Sequence, residues 1–445
     1  MAPMSAHLLQ ELRAGNLTGT ARLDLSAGLT EIPPEVLGLA DSLEVLNLSG
    51  NALTDLPDWL PQLRKLRILF CSHNPFRHVP EILGQCPALD MIGFKSCQIE
   101  TVSGAALPPA LRWLILTDNH LAGVPPELGR RPALQKLMLS GNRLSRLPDE
   151  MEACRNLELL RLASNRFGSL PPWLLRLPRL AWLAIAGNPL TKAETAPPSG
   201  MAKVDWAELT LGPVLGQGAS GVIHQALWHA AAEQPAVAVK LFKGAMTSDG
   251  LPASELAACL MAGGHPQVIG ATGQITGHPT GAAGLVMPLI GEDFRPLAGP
   301  PDLASCTRDI YPEALELSLA EAWEIARSIA AAACHLHGQR ILHGDLYAHN
   351  VLWRAGGAAL LGDFGAAASY QSADPTMARA LERIEVRAFG CLLGELLDQV
   401  APAALTALPL LRNLQAQCLT GEVPARPDFR AVLGTLESME AALLA

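Results

Sequence analysis

Residues 331–365 read AAACHLHGQRILHGDLYAHNVLWRAGGAALLGDFG. Asp345 stands five residues before Asn350, and Asp363-Phe364-Gly365 begins thirteen residues after that asparagine. Two acidic residues and an asparagine, each next to an apolar strand, can supply one general base and two oxygen ligands for Mg²⁺. Any one of them alone reads equally well as a turn residue. Their order, together with what precedes them, carries the reading.

Upstream, residues 207–223 read AELTLGPVLGQGASGVI, an apolar strand, a glycine-rich turn and a return strand. Gly216, Gly218 and Gly221 form G-x-G-x-x-G, in which backbone amides can approach a polyphosphate with no side chain between. A dinucleotide-binding fold would need a helix after the third glycine. The β-branched pair Val222-Ile223 argues for a strand and against that alternative. The run 237–240, Val-Ala-Val-Lys, is then an apolar strand that closes on Lys240. A lysine on a buried strand is costly unless paired, and Glu255, in the helix-like SELAACLMA of 254–262, is the candidate partner. The bland alternative is a solvated lysine at a strand end. After that helix, residues 265–269 read as an exit into a further strand.

Glycine loop, strand lysine, helix glutamate, Asp345, Asn350 and Asp-Phe-Gly together resemble the eukaryotic-type protein kinase family over residues 206–445. Residues 384–390, IEVRAFG, resemble the family's D-V-x-S-F-G helix with Glu385 in place of aspartate, and residues 425–429, ARPDF, resemble the R-P-x-F motif of tyrosine-kinase-like kinases. The resemblance implies ATP and Mg²⁺ as cofactors. Gly216, Gly218, Gly221, Ile223 and Ala238 would cover the nucleotide, and Lys240, locked by Glu255, would hold its α- and β-phosphates. Met287 would be the gatekeeper, and residues 288–291, including Ile290, the adenine hinge. Asp345 would accept the substrate hydroxyl proton, while Asn350 and Asp363 bind Mg²⁺.

The departures from the family are specific. Gly344 replaces the arginine that normally precedes the catalytic aspartate, so phosphate switching through that arginine is not expected. Tyr347 replaces the usual lysine, and His349 stands where some tyrosine kinases carry arginine. Only 19 residues separate Gly365 from Glu385, and no A-P-E occurs there; Glu382 is expected to stand in for its glutamate and pair with Arg426. Ser369, Ser372 and Thr376 lie in this short segment as candidate autophosphorylation sites.

The first half carries a different signal. Leu43, Leu66, Leu89, Leu111, Leu134, Leu157 and Leu180 open copies of L-x-x-L-x-L-x-x-N at spacings of 23, 23, 22, 23, 23 and 23, as in LEVLNLSGN at 43–51. Asn51, Asn74, Cys97, Asn119, Asn142, Asn165 and Asn188 close the phrases, and a weaker first copy begins near Thr20. This pattern resembles the leucine-rich repeat family. The leucines point inward with period two, and the asparagine amide can bond backbone groups left unpaired at the bend. Cys97 offers only a weak donor, so the fourth copy is expected to be the least regular. No single copy can bury its apolar face, so the copies are expected to stack. The outward strand positions are unusually apolar. Ile68, Phe70, Met91, Trp113, Ile115, Met138 and Trp182 are expected to form a contiguous concave patch for a protein or peptide.

The expected architecture is an α/β leucine-rich repeat solenoid followed by an α+β bilobal protein kinase fold. Its parts are an N-terminal cap (1–19), a solenoid of about eight 23-residue repeats (20–192), a Pro/Gly-containing linker (193–205) and the kinase-like domain (206–445). With 33 basic and 42 acidic side chains, the net charge is −9 and no polybasic run occurs, so nucleic acid is a poor candidate partner. A hydrophobic fraction of 49% excludes a disordered chain, and no apolar run is long enough to span a membrane. Nine scattered cysteines without C-x-x-C argue against a disulfide framework or zinc site and point to the cytoplasm. Serine or threonine of a protein substrate is the expected acceptor, with the repeats recruiting that substrate. The competing reading is a catalytically weak, nucleotide-binding scaffold.

Overall fold

The computed structural model describes residues 2–191, 202–218, 220–230, 235–244, 246–401 and 408–440. The chain forms two compact units, 1–177 and 178–445.

In the first unit a helix, α1 (Ala2–Arg13), precedes seven three-residue strands: β1 (Arg22–Asp24), β2 (Val45–Asn47), β3 (Ile68–Phe70), β4 (Met91–Gly93), β5 (Trp113–Ile115), β6 (Lys136–Met138) and β7 (Leu159–Arg161). All pair in parallel and in one register, so Leu46, Leu69, Ile92, Leu114, Leu137 and Leu160 form one fully buried row. Each buried leucine contributes about 1.5–3 kcal/mol, which no copy could gain alone. Short 3₁₀ turns link the strands, four of them entered through Pro33, Pro80, Pro125 and Pro148.

The asparagines do what the spacing predicts. Asn74 Nδ2 donates to the Leu48, Cys71 and Ser72 carbonyls while its Oδ1 accepts from the Leu53 amide, and Asn119 repeats the three carbonyls while accepting from the Cys97, Gln98 and Ile99 amides. Cys97 keeps only weak thiol bonds to the Cys71 and Lys95 carbonyls. The fourth copy nevertheless stays in register, and its irregularity is a second left-handed residue, Gln98, beside Ser96. The position before the asparagine carries no residue signature in the repeat, yet Gly50, His73, Ser96, Asp118, Gly141 and Ser164 all have φ between 54° and 74°.

The expected apolar patch is largely not exposed. Ile68, Met91, Trp113 and Met138 are buried, and only Phe70 and Ile115 remain half-exposed in this unit. Parallel strands ~4.8 Å apart set same-register side chains against one another. Trp113 Nε1 points at the Met138 sulfur, and the Lys136 ammonium lies 3.9 Å above the Trp113 ring.

The second unit opens with the last copy of the repeat, whose strand is β8 (Trp182–Ala184). The expected linker falls mostly outside the described residues. Its end, however, is a strand, β9 (Ala202–Asp205), running parallel to β13 (Gly273–Thr276). With β10 (Leu209–Gln217), β11 (Gly221–Trp228), β12 (Ala236–Phe242) and β14 (Gly284–Pro288) these form a sheet of order β10-β11-β12-β14-β13-β9. Val204, Leu209, Ala226, Val237, Val239, Ile275 and Val286 pack as its core. α2 (Pro252–Ala262) lies between β12 and β13. The strand expected directly after 265–269 begins only at Gly273; Val268 makes a single bridge to Leu361 instead.

The remaining lobe is helical. β15 (Arg295–Pro296) leads to α3 (Leu319–Gly338), which starts at a Ser318/Glu321 capping box. β16 (Ile341–Leu342), β17 (Val351–Trp353), β18 (Ala359–Leu361) and β19 (Ala368–Ser369) are short ribbons carrying the motif loops. α4 (Pro375–Asp398), α5 (Leu408–Leu419) and α6 (Phe429–Ser438) complete the unit. Asp374 caps α4 by accepting from the Thr376 and Met377 amides, so this one helix starts ten residues after Gly365 and already contains Glu385. No helix among the described residues is long and apolar enough to cross a membrane.

Candidate active site

The strand and helix that the sequence predicted bring Lys240 and Glu255 together. β12 carries the lysine, α2 presents the glutamate, and the two form an ion pair in which Glu255 is buried and Lys240 partly so. Burial opposes the lysine's charge, but Glu255 and Asp363 outweigh it and hold the ammonium above its ordinary pKa. Burial, with Asp363 adding, raises the Glu255 carboxyl while Lys240 opposes, so the charge the arrangement secures is the lysine's.

Asp345 and Asn350 lie between β16 and β17, and Asp363 follows β18 on the way to β19. The Asn350 amide nitrogen donates to both the carbonyl and Oδ2 of Asp345, at 2.8 and 3.0 Å. That commits the nitrogen to the aspartate and leaves Oδ1 as the atom able to face a cation. Asp363 adopts a left-handed φ of 52° and accepts the Gly365 amide on Oδ1. His343, fully buried, ties the two loops by its ring contact to the Gly362 carbonyl at 2.8 Å.

One cleft gathers these groups. A cavity of about 240 Å³ is lined by Lys240, Glu255, Met287, Asn350 and Asp363, and a neighbouring one of about 150 Å³ by Gly218, Gly221, Lys240, Asp249 and Asp363. A third, about 710 Å³, continues along Gly216, Ala238, Met287, Ile290 and Leu352 and shares Ile223 with both. A Cβ on Gly221 would meet the Leu241 carbonyl oxygen at 2.5 Å, so that glycine is fixed by packing. Gly216 and Gly218 have open space instead, which suits a loop laid over a ligand. Every nucleotide-side residue expected from sequence thus lines this cleft. The donor set, one carboxylate and one amide oxygen, fits a hard divalent cation such as Mg²⁺.

Residues outside the predicted site also shape it. Asp309, on the loop before α3, accepts the His349 amide on Oδ2 (3.0 Å) and meets its Nδ1 at 2.7 Å. Burial opposes protonation of His349, but Asp309, Asp345 and Asp363 raise its pKa above the ordinary value. Glu385, buried in α4, accepts the Gly344 amide and contacts His337 Nε2, both at 2.6 Å. The expected Glu382–Arg426 pair does not form. Glu382 accepts from the Tyr370 hydroxyl, while Arg426 donates to the carbonyls of Pro178, Arg383 and Thr420. Ser369 is buried in β19, whereas Ser372 is exposed and donates to the Leu190 carbonyl. Trp182 lies against Tyr347 rather than on an open face.

Comparison with known proteins finds a family match in each half. Residues 209–389 match the family described as protein tyrosine and serine/threonine kinase, and residues 20–76, 109–167 and 132–190 match leucine rich repeat. Among curated proteins, the chain is 42% identical to the TMV resistance protein N of Nicotiana glutinosa over 94 residues, 21% of this chain and 8% of that one. It is 33% identical over 126 residues, 27% of this chain and 19% of the other, to the mouse (Mus musculus) transforming growth factor beta activator LRRC32. The chain therefore spans under a fifth of the length of either relative. Among solved structures it is similar to a leucine-rich-repeat protein of Leptospira interrogans, at 27% identity and a TM-score of 0.34, covering 41% of this chain and 53% of that one.

Proposed function

From a chain that joins N-terminal leucine-rich repeats to a C-terminal protein kinase domain, we propose an active enzyme that transfers the γ-phosphate of ATP to serine or threonine hydroxyls of a protein. The observation that carries this reading is the convergence of the Lys240–Glu255 pair, Asn350 and Asp363 on one cleft, with Asp345 held beside it by the Asn350 amide. Lys240 would neutralise the α- and β-phosphates. Asn350 Oδ1 and the Asp363 carboxylate would hold Mg²⁺, which when bound neutralises charge on the phosphates. Met287, Ala238, Leu352 and the backbone near Ile290 would enclose the base.

Asp345 accepts the proton of the attacking hydroxyl as the oxygen–phosphorus bond forms and the bond to the β-phosphate oxygen breaks, releasing ADP. Positioning and charge neutralisation supply most of the acceleration. The repeats would recruit the protein substrate, and the nine scattered cysteines favour the cytoplasm as the compartment.

The scaffold reading has one observation in its favour. Only residues 366–374 separate Gly365 from α4, so the usual peptide-holding segment is nearly absent. Transfer of label from γ-labelled ATP with Mg²⁺ separates the two. Activity in wild type that falls by about 10²-fold or more in Asp345→Asn and Lys240→Met supports the kinase. Equal, background-level label in all three, with ATP still bound, supports the scaffold.

A further inference from the structure

Gly344, the residue where the family's arginine is missing, has φ of +74°, and a Cβ built there would lie 2.7 Å from the Ala366 carbonyl oxygen and 2.8 Å from that of Leu183. The position is thus closed by backbone on two sides, one of them β8 of the last repeat copy. The neighbouring residue of β8 holds the other flank of Asp345. Trp182 Nε1 donates to the Leu346 carbonyl at 3.0 Å, and its ring stacks on Tyr347 with centroids 4.2 Å apart and planes 5° from parallel. The Arg308 guanidinium lies 5.2 Å from the Trp182 ring centre, and the next residue, Asp309, holds His349. Residues 344, 346, 347 and 349 are therefore all fixed from outside the catalytic loop.

The contact is built in rather than latched on. Arg426, 1% exposed, donates to the Pro178 carbonyl at 2.8 Å, and Arg387, 9% exposed, donates to that of Arg179 at 3.1 Å. Buried guanidinium groups need such acceptors, and releasing 178–183 would take those carbonyls away.

We propose that Trp182 is a positioning residue for phosphate transfer: with Leu183 it clamps the loop around Asp345, taking over support that the missing arginine and shortened activation segment would otherwise give. The proposal rests on the kinase reading above. It assigns Trp182 a role inside the transfer unit instead of the partner-binding role suggested by its column in the repeats.

The test uses the full chain as wild type, Trp182→Phe and Trp182→Ala, with steady-state transfer to a generic protein acceptor and amide hydrogen exchange over residues 344–349. The expected result for Trp182→Ala is a loss of about 10²-fold in kcat, KM for ATP within about twofold, and faster exchange across the loop. Trp182→Phe keeps the stacking and recovers most of kcat. A kcat for Trp182→Ala equal to wild type overturns the proposal, and a higher one identifies the contact as a brake. If Trp182→Ala does not fold, Trp182→Leu keeps most of the volume without the flat ring and answers the same question. If wild type transfers nothing, the kinase reading fails and exchange decides alone: faster exchange in the variant upholds the clamp, and unchanged exchange overturns it.

Discussion

A single missing side chain at position 344 has a structural cause. Even alanine would drive its Cβ into two carbonyl oxygens and strain a left-handed backbone. Gly344→Ala is expected to lower kcat by about 10²-fold, and Gly344→Arg, which restores the family's residue, to lower it at least as far; kinetics of both variants check this. Glu395 offers a second test, of pH. Burial first, and then Asp309, raise its carboxyl from 4.5 to about 7, with Arg308 and the Tyr311 hydroxyl opposing. A carboxyl whose folded pKa lies above its unfolded one takes up a proton on folding, so its contribution falls as pH rises from about 4.5 to 7 and then levels. Glu395→Gln should therefore gain about 1–3 kcal/mol on wild type between pH 5 and pH 8 in urea denaturation. A difference that does not change with pH would contradict this.

Repeats and motif loops differ in how far their sequences disclose them. The asparagine ladder was legible from its spacing as an inward amide that bonds backbone groups at the bend, while its reach to a carbonyl of the preceding copy, Leu48 or Phe94, was not. Asn119→Ala should cost about 1–3 kcal/mol, because buried carbonyls lose their partner. Cys97→Asn should instead stabilise by about 1 kcal/mol, measured by thermal or urea unfolding of the full chain. Lys240, Glu255, Asp345, Asn350 and Asp363 were legible for the same reason, since each sits in a short motif whose chemistry needs neighbours in sequence. Asp309, His337 and the fate of Arg426 were not legible: the partners of the first two lie 40 and 48 residues away, and two of the three Arg426 acceptors lie more than 40 away, so no spacing encodes them. The apolar outward columns misled as a measure of exposure. Period two tells which face a residue takes, but not how its neighbours one strand over cover it.

At the scale of the molecule, periodicity and compactness divide the chain at different places. The repeat phrase runs unbroken through Asn188, yet the second compact unit begins at Pro178. A fragment of residues 206–445 would lack the carbonyls of Pro178 and Arg179 and the ring of Trp182. It is expected to be about 2–5 kcal/mol less stable than a 178–445 fragment, a difference that urea melts of the two would show.

The central claim is that the cleft around Lys240, Asp345 and Asp363 performs chemistry. Quench-flow formation of phosphoprotein from γ-labelled ATP and Mg²⁺, in wild type and Asp345→Asn at matched nucleotide occupancy, tests it most directly. The account predicts rapid label in wild type and a rate about 10²-fold or more lower in the variant. Equal rates in the two at full occupancy would contradict it.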